Sequence, residues 1–254
     1  MAKQGTIFGF TINTKSFAEV IEQSVDAIEK RESQKVFVCA NAYSMMVTRK
    51  DPLFSKALAD ADFLVADGAG VSLSGKVLGI DVGPRIPGYE YFEGISQRLN
   101  KGISGRKARI FFFGSSQTTL DKIVQRMAID FPGLEVCGVH SPPFGEWSEE
   151  ENNRMIEVIN SASPDVLWVG MTAPKQEKWS FQNREQLDSP VIGSIGAVFD
   201  FYAGTVARAP AWMRALNLEW FHRLITNPKK TWKRYLVAQP IYMFEIFKQY
   251  LKNS

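Results

Sequence analysis

The run Ala61-Asp62-Phe63-Leu64-Val65-Ala66-Asp67-Gly68-Ala69-Gly70 contains a well-placed carboxylate. Residues 63–66 are apolar and strand-forming, so Asp67 is delivered to a strand's carboxyl end, and the two glycines behind it let a ligand approach the backbone closely. A carboxylate there can take a proton from an attacking hydroxyl, a role worth roughly a hundred- to ten-thousand-fold in rate. The same Asp-Gly pair also reads as a helix cap or a turn. Asn41 ends a neighbouring strand-like run, where its amide can bond a sugar hydroxyl or cap the next helix. Arg85 sits in Gly83-Pro84-Arg85-Ile86-Pro87-Gly88, a stiff loop suited to phosphate recognition or simply solvated. Gly114-Ser115-Ser116 offers backbone amides at a helix start, an anion or nucleotide site of weak specificity, being neither Gly-x-Gly-x-x-Gly nor a P-loop. Gly170-Met-Thr-Ala-Pro-Lys-Gln-Glu-Lys-Trp179 places Lys175, Gln176 and Glu177 at a helix start directly after a strand, where surface decoration is the plain alternative.

These residues need a scaffold that brings strand ends together. The spacing predicts strands over 6–11, 36–40, 108–113, 134–139, 166–170 and 191–195, with one more ending at Asp67. Helices are expected over 17–28, 42–49, 52–59, 70–79, 89–100, 117–131, 148–161 and 174–183. Continuously apolar strands separated by helices imply an α/β fold, a Rossmann-like parallel sheet covered by helices on both faces. Such sheets bind ligands at the carboxyl ends of their strands. Asn41, Asp67, Gly114-Ser115 and Gly170 are therefore expected on one rim.

Beyond Gly204 the pattern is helical only, over 210–216, 218–226, 228–237 and 241–251. The division expected is a catalytic domain over 1–203 and a helical basic appendage over 204–254. Of 30 Lys and Arg against 27 Asp and Glu, nine bases and two acids lie in the last 51 residues, so the appendage carries +7 and the body −4. Nine aromatics, Trp212 to Tyr250, are interleaved with those bases. Amphipathic aromatic and basic residues suit a lipid headgroup interface, whereas the acidic body carries no nucleic-acid motif and no such partner is expected. The start, Met1-Ala-Lys-Gln-Gly, lacks a signal-peptide core, and no window approaches the roughly 18 to 20 apolar residues of a span. The expectation is a cytoplasmic protein that touches a membrane without crossing it. Cys39 and Cys137 are too few for a disulfide framework or a zinc site and read as small buried thiols. With His140 and His222 the only histidines, neither a metal site nor a Ser-His triad is expected.

Several segments together carry a resemblance. They are Ala40-Asn41-Ala42, Ala59-Asp60-Ala61-Asp62 through Val71, Arg85-Ile-Pro-Gly88, Phe112-Phe113-Gly114, Gly170 to Trp179, Gly196-Ala-Val-Phe-Asp-Phe-Tyr-Ala-Gly204, Arg208-Ala-Pro210, and Leu218-Glu-Trp220 with Arg223-Leu224. The chain resembles the bacterial WecG/TagA/CpsF glycosyltransferases, which build cell-surface polymers. The resemblance implies metal-independent, inverting transfer of a hexose (N-acetylmannosamine, its uronic acid, glucose or similar) from a UDP-sugar to a polyprenyl-diphosphate-linked saccharide at the inner face of the membrane. It implies Asp67 as the general base, Asn41 as a donor-sugar contact, and Arg85 and Gln176 as polar contacts. Arg223, Lys230 and Lys233 or Arg234 would close over the diphosphate, and an oligomer with a rearranged appendage is compatible with it. Cys39 stands where some relatives have a hydroxyl residue, and lysines stand at tail positions often held by arginine. Two other readings of the residues stand beside this one. A non-catalytic nucleotide-binding module of a membrane complex would keep the glycine turns, and an oxidoreductase would need the glycine fingerprint that is missing.

Overall fold

The computed structural model describes residues 3–253, with Lys3, Gln4, Lys230 and Asn253 described by their backbone alone. Eight strands are present among them: β1 (Lys3–Gln4), β2 (Lys35–Ala40), β3 (Phe63–Ala66), β4 (Ile80–Asp81), β5 (Ala108–Gly114), β6 (Leu134–His140), β7 (Val166–Gly170) and β8 (Val191–Ser194). Six of them form one all-parallel sheet in the order β3-β2-β8-β7-β5-β6.

The helices in chain order are α1 (Phe17–Lys30), α2 (Ala42–Val47), α3 (Pro52–Ala59), α4 (Ala69–Leu78), α5 (Gly88–Leu99), α6 (Gln117–Asp130), α7 (Glu149–Ser161) and α8 (Lys175–Asn183). They continue with α9 (Val198–Tyr202), α10 (Ala211–Ala215), α11 (Glu219–Thr226), α12 (Pro228–Trp232) and α13 (Gln239–Asn253).

Successive strand residues supply opposite faces of the sheet. Phe37, Val65, Ile110, Phe112 and Trp168 pack with α1, α5 and α6 on one side. Val38, Leu64, Phe111, Phe113 and Val169 pack with α2, α3, α7 and α8 on the other. A sheet covered on both faces explains why the strands read as unbroken apolar runs rather than as an alternation.

Two elements differ from the sequence expectation. Residues 6–11 are not a strand: Ile7 and Phe10 exchange two backbone hydrogen bonds of 3.0 Å across a tight turn, with Phe8 at φ 51° and Gly9 at φ 88°. Ile7, Phe10 and Ile12 are still buried, so the apolar positions are satisfied through a turn, and β1 pairs instead with β4 in a separate two-stranded ladder. The chain also does not break near Pro240. α12 runs through a π-helical segment, Lys233–Ala238, straight into α13. A proline lacks the N–H of a helical ladder and crowds the carbonyl four residues earlier, and the wider π turn just before it accommodates both effects.

α13 returns to the body. Tyr242 and Ile246 are fully buried in the second core layer, and Tyr242 Oη lies 2.8 Å from Ser74 Oγ on α4. Arg49 pairs with Glu245 at 2.6 Å, and Gln249 Nε2 donates to Thr6 O at 2.7 Å.

Candidate active site

Strand ends build the site. Ala40 and Ala66 are register partners on β2 and β3, so Asn41 and Asp67 emerge side by side, and Asp67 N donates to Ala40 O at 2.8 Å. Gly68 has φ 86° and ψ 162°, a conformation that a side chain resists, and it lets the chain turn at once into α4. Over the carboxyl ends of β2, β3, β7 and β8 lies a cavity of about 860 Å³. Its wall includes Asn41, Asp67, Arg85, Ser115, Gly170, Lys175, Gln176, Glu177, Arg223 and Arg234, all ten of which the sequence singles out.

Asp67 is partly exposed to this cavity. Burial pushes its carboxyl above the ordinary aspartate range. Arg223, Arg234 and Arg85 act against that shift, and Glu219 adds to it. Asn41 takes the capping role and also lines the cavity. Its Oδ1 accepts Ser44 N at 3.1 Å as the cap of α2, while Nδ2 remains for a ligand at the cavity wall. The loop bearing Arg85 is tied to β3 by Ile86 N donating to Ala66 O at 3.0 Å.

Gln176 is buried and engaged on both ends: its Oε1 accepts Met171 N at 3.2 Å, and its Nε2 donates to Glu177 Oε1 at 2.9 Å. Burial raises the Glu177 carboxyl, and its Oε2 is enclosed without a protein partner. Lys175 donates to Gly145 O at 2.5 Å and lies 3.6 Å over the Trp147 ring, tying down the loop after β6, and burial lowers its ammonium.

Helix N-termini supply further donors. α4, α5 and α8 begin at the cavity wall with no side-chain cap, although Lys175 N donates to Thr172 O at 2.9 Å and Gly88 N meets the Cys39 thiol, so α4 offers the most open first turn. α6 is different, because Ser116 caps it by accepting Thr119 N at 3.3 Å. The anion site expected at 114–116 is thus partly closed by its own serine. Gly114 does not line the cavity: at φ 119° a Cβ there would stand 2.6 Å from Gly170 O, so its smallness serves the β5–β7 contact.

In the tail, Lys233 is an exposed residue whose ammonium lies 5.6 Å over the Trp232 ring, away from the cavity. It is the next residue, Arg234, that faces inward, between the rings of Tyr43 and Tyr235 at 5.6 and 5.7 Å. The side chain of Lys230 lies outside the described residues. Arg223 Nη2 donates to Glu219 Oε1 at 2.6 Å, and the guanidinium lies 4.8 Å over the Phe201 ring.

Residues 5–254 match the model of the glycosyl transferase WecG/TagA/CpsF family. The chain belongs to that family. It is 31% identical over 200 residues to an N-acetylglucosaminyldiphosphoundecaprenol N-acetyl-beta-D-mannosaminyltransferase of Bacillus subtilis strain 168, covering 79% of this chain and 74% of that one. An enzyme of the same name from Bacillus spizizenii is 29% identical over 211 residues, 83% of this chain and 78% of the other. One from Staphylococcus aureus strain NCTC 8325 is 25% identical over 245 residues, 95% of this chain and 91% of the other.

Four wall residues of this WecG/TagA/CpsF member are missing from the sequence-derived site. Tyr43 flanks Arg234, and Glu219 pairs with Arg223. Tyr235 and Arg208 complete the set, Arg208 with its guanidinium 3.9 Å over Tyr89 and bonded to Glu90 at 2.6 Å. The interleaving of bases with aromatics is the signal that points to Arg208 and Tyr235. One of the resemblance segments also holds an Asp-x-Asp pair, Asp60-Ala61-Asp62. It stands at the amino end of β3, where Arg184 binds Asp60 at 2.6 Å and Asp62 at 2.7 Å. Among the described residues, no three or more His, Cys, Asp and Glu side chains come together as a metal-binding group.

Proposed function

We propose that the chain transfers a hexose, with inversion, from a UDP-sugar to a polyprenyl-diphosphate-linked saccharide. Asp67 takes the proton of the acceptor hydroxyl. The freed oxygen attacks the anomeric carbon in line, a new C–O bond forms, and the bond to the diphosphate breaks with its electron pair leaving on UDP. Arg85, Arg223 and Arg234, with the uncapped N-terminus of α4, stabilise the departing diphosphate without a metal. The observation that carries this reading is a single strand-end carboxylate facing three guanidinium groups across one cavity.

The names of the relatives support N-acetylmannosamine as donor sugar and N-acetylglucosaminyl-diphosphoundecaprenol as acceptor. Its uronic acid and glucose are the other donors to try in a panel of UDP-sugars. No helix among the described residues is long and apolar enough to cross a membrane. Access to a lipid-linked acceptor at the inner face of the cytoplasmic membrane is therefore assigned to the exposed aromatic and basic surface of α10 to α13.

Asp67→Asn keeps the size and polarity of the side chain and removes its basicity. Transfer to a lipid-linked acceptor should fall by roughly a hundred-fold or more while UDP still binds. Near-native turnover would overturn the base assignment, and turnover abolished by EDTA would overturn the metal-free mechanism.

A further inference from the structure

Of the three guanidinium groups that act on Asp67, Arg223 alone has an acid partner among the described residues. Glu219, one turn earlier on α11, accepts from it at 2.6 Å, and both side chains line the cavity. Arg223 Nε is enclosed without a protein partner, and the guanidinium lies over the Phe201 ring. An acid and a base four residues apart on a helix commonly form a solvated pair worth a few tenths of a kcal/mol. This pair is 29% and 20% exposed and lines the same cavity as Asp67, which separates it from that ordinary case.

We infer that Glu219 is a resident counter-ion, holding Arg223 until the diphosphate of a nucleotide displaces it. The inference rests on the nucleotide-sugar reading above. An arginine waiting unpaired would hold substrate tightly and release product slowly. With Glu219 present, Arg223 exchanges one anionic oxygen for another both when the donor enters and when UDP leaves, so affinity falls and release quickens. Removing one partner of such a pair leaves the other charge uncompensated, and an incoming phosphate would then supply the missing acid.

Glu219 also faces the base. The charged groups acting on Asp67 are Arg223 and Arg234 from the tail, Arg85 from the loop before α5, and Glu219 itself, while the Cys39 thiol and the Glu177 carboxyl share the cavity wall. Glu219 raises Asp67, so neutralising Glu219 lowers it. The base then stays deprotonated to lower pH.

The test compares the full chain with Glu219→Gln, which keeps shape and drops charge. UDP and, separately, inorganic pyrophosphate are titrated by calorimetry, and kcat/KM is followed against pH. The dissociation constant of both probes should drop about tenfold, a gain that Glu219→Gln/Arg223→Met should lose, and the acid limb of kcat/KM should move to lower pH. A merely helix-stabilising pair would give unchanged or weaker binding and an unmoved acid limb, and either result overturns the inference. If the native chain binds neither probe, the nucleotide-sugar reading fails as well. If it binds UDP and transfers sugar while Glu219→Gln binds no tighter, only the counter-ion role fails.

Discussion

Asp67 carries a proton balance set by its neighbours rather than by aspartate chemistry alone. Burial raises it, and Arg223, Arg234 and Arg85 pull it back toward the ordinary range. A general base works when deprotonated, so activity is lost as pH falls through its pKa. Arg234→Met removes a cation that favours the charged carboxylate, which raises Asp67 further. The acid limb of kcat/KM should therefore move to higher pH, opposite to the shift expected for Glu219→Gln, and KM for the donor should rise as a phosphate contact is lost. A pH–rate profile checks the sign, and a limb that stays or falls would show that Arg234 does not act on Asp67. The body residues of the site are legible in the sequence because an apolar run fixes where a strand ends. Asn41, Asp67, Arg85, Gln176 and Glu177 all follow such runs or the loops tied to them. Glu219 and Tyr43 are not legible in that way, since each matters only through a partner about 4 or 190 residues along the chain that folding brings to it. Gln176 lines the cavity and also holds Met171 N and Glu177 Oε1, a bracing role that its residue type alone does not disclose.

The tail helices owe their position to one face of α13. Tyr242 is fully buried against α4, the helix that starts two residues after Asp67, and a Cβ on Gly70 would lie 3.8 Å from the Tyr242 ring and 3.7 Å from Gln239 Nε2. The docked α13 and the π segment before it present Arg234, Tyr235 and Gln239 to the cavity. Tyr242→Phe deletes only the hydroxyl near Ser74 and should cost about 1 kcal/mol of stability with transfer largely kept. Tyr242→Ala removes the ring as well and should cost roughly 3–5 kcal/mol. It should also depress transfer far more than Tyr242→Phe, because Arg234 and Tyr235 lose their anchor. Urea unfolding together with initial rates checks both, and full activity in Tyr242→Ala would show that docking of α13 does not position the site. Period and punctuation reveal the helices here but not their junction. Pro240 reads as a break because proline normally ends a helix, and the π turn that absorbs it carries no sequence signature. Residues 6–11 mislead for the converse reason, as Ile7, Phe8 and Phe10 make a strand-like apolar run while Gly9 permits a turn that buries Ile7 and Phe10.

In the molecule as a whole, the basic charge and most of the exposed apolar surface share the tail. The basic composition of the last 51 residues is visible in the chain itself. Folding decides which aromatics remain outside, and that follows from the docking of α13. Tyr242 and Ile246 face the core, whereas Ile241, Phe244, Phe247 and Leu251 on the same helix are 46–59% exposed. A helix apolar on both sides is ordinarily enclosed by protein or lipid. Lys248 and Lys252 accompany the outward stripe, and Trp212, Leu216 and Ile225 are further exposed apolar residues of the tail. Such a surface gains from burial of apolar area and from about 1 kcal/mol per base near an anionic leaflet. Truncation of the tail is a poor probe of this surface, because it would also strip Tyr242 and Ile246 from the core. Phe244→Ser/Phe247→Ser leaves the buried face intact. Burying a phenylalanine contributes about 1.5–3 kcal/mol, so the double variant should lose at least tenfold in affinity for phosphatidylglycerol vesicles while its melting temperature holds. Transfer to a vesicle-borne acceptor should fall in step, transfer to a short-chain, water-soluble acceptor should not, and high salt should weaken vesicle binding of the native chain by screening its lysines. Equal vesicle affinity of the native and double-variant chains would mean that α13 faces something other than the membrane.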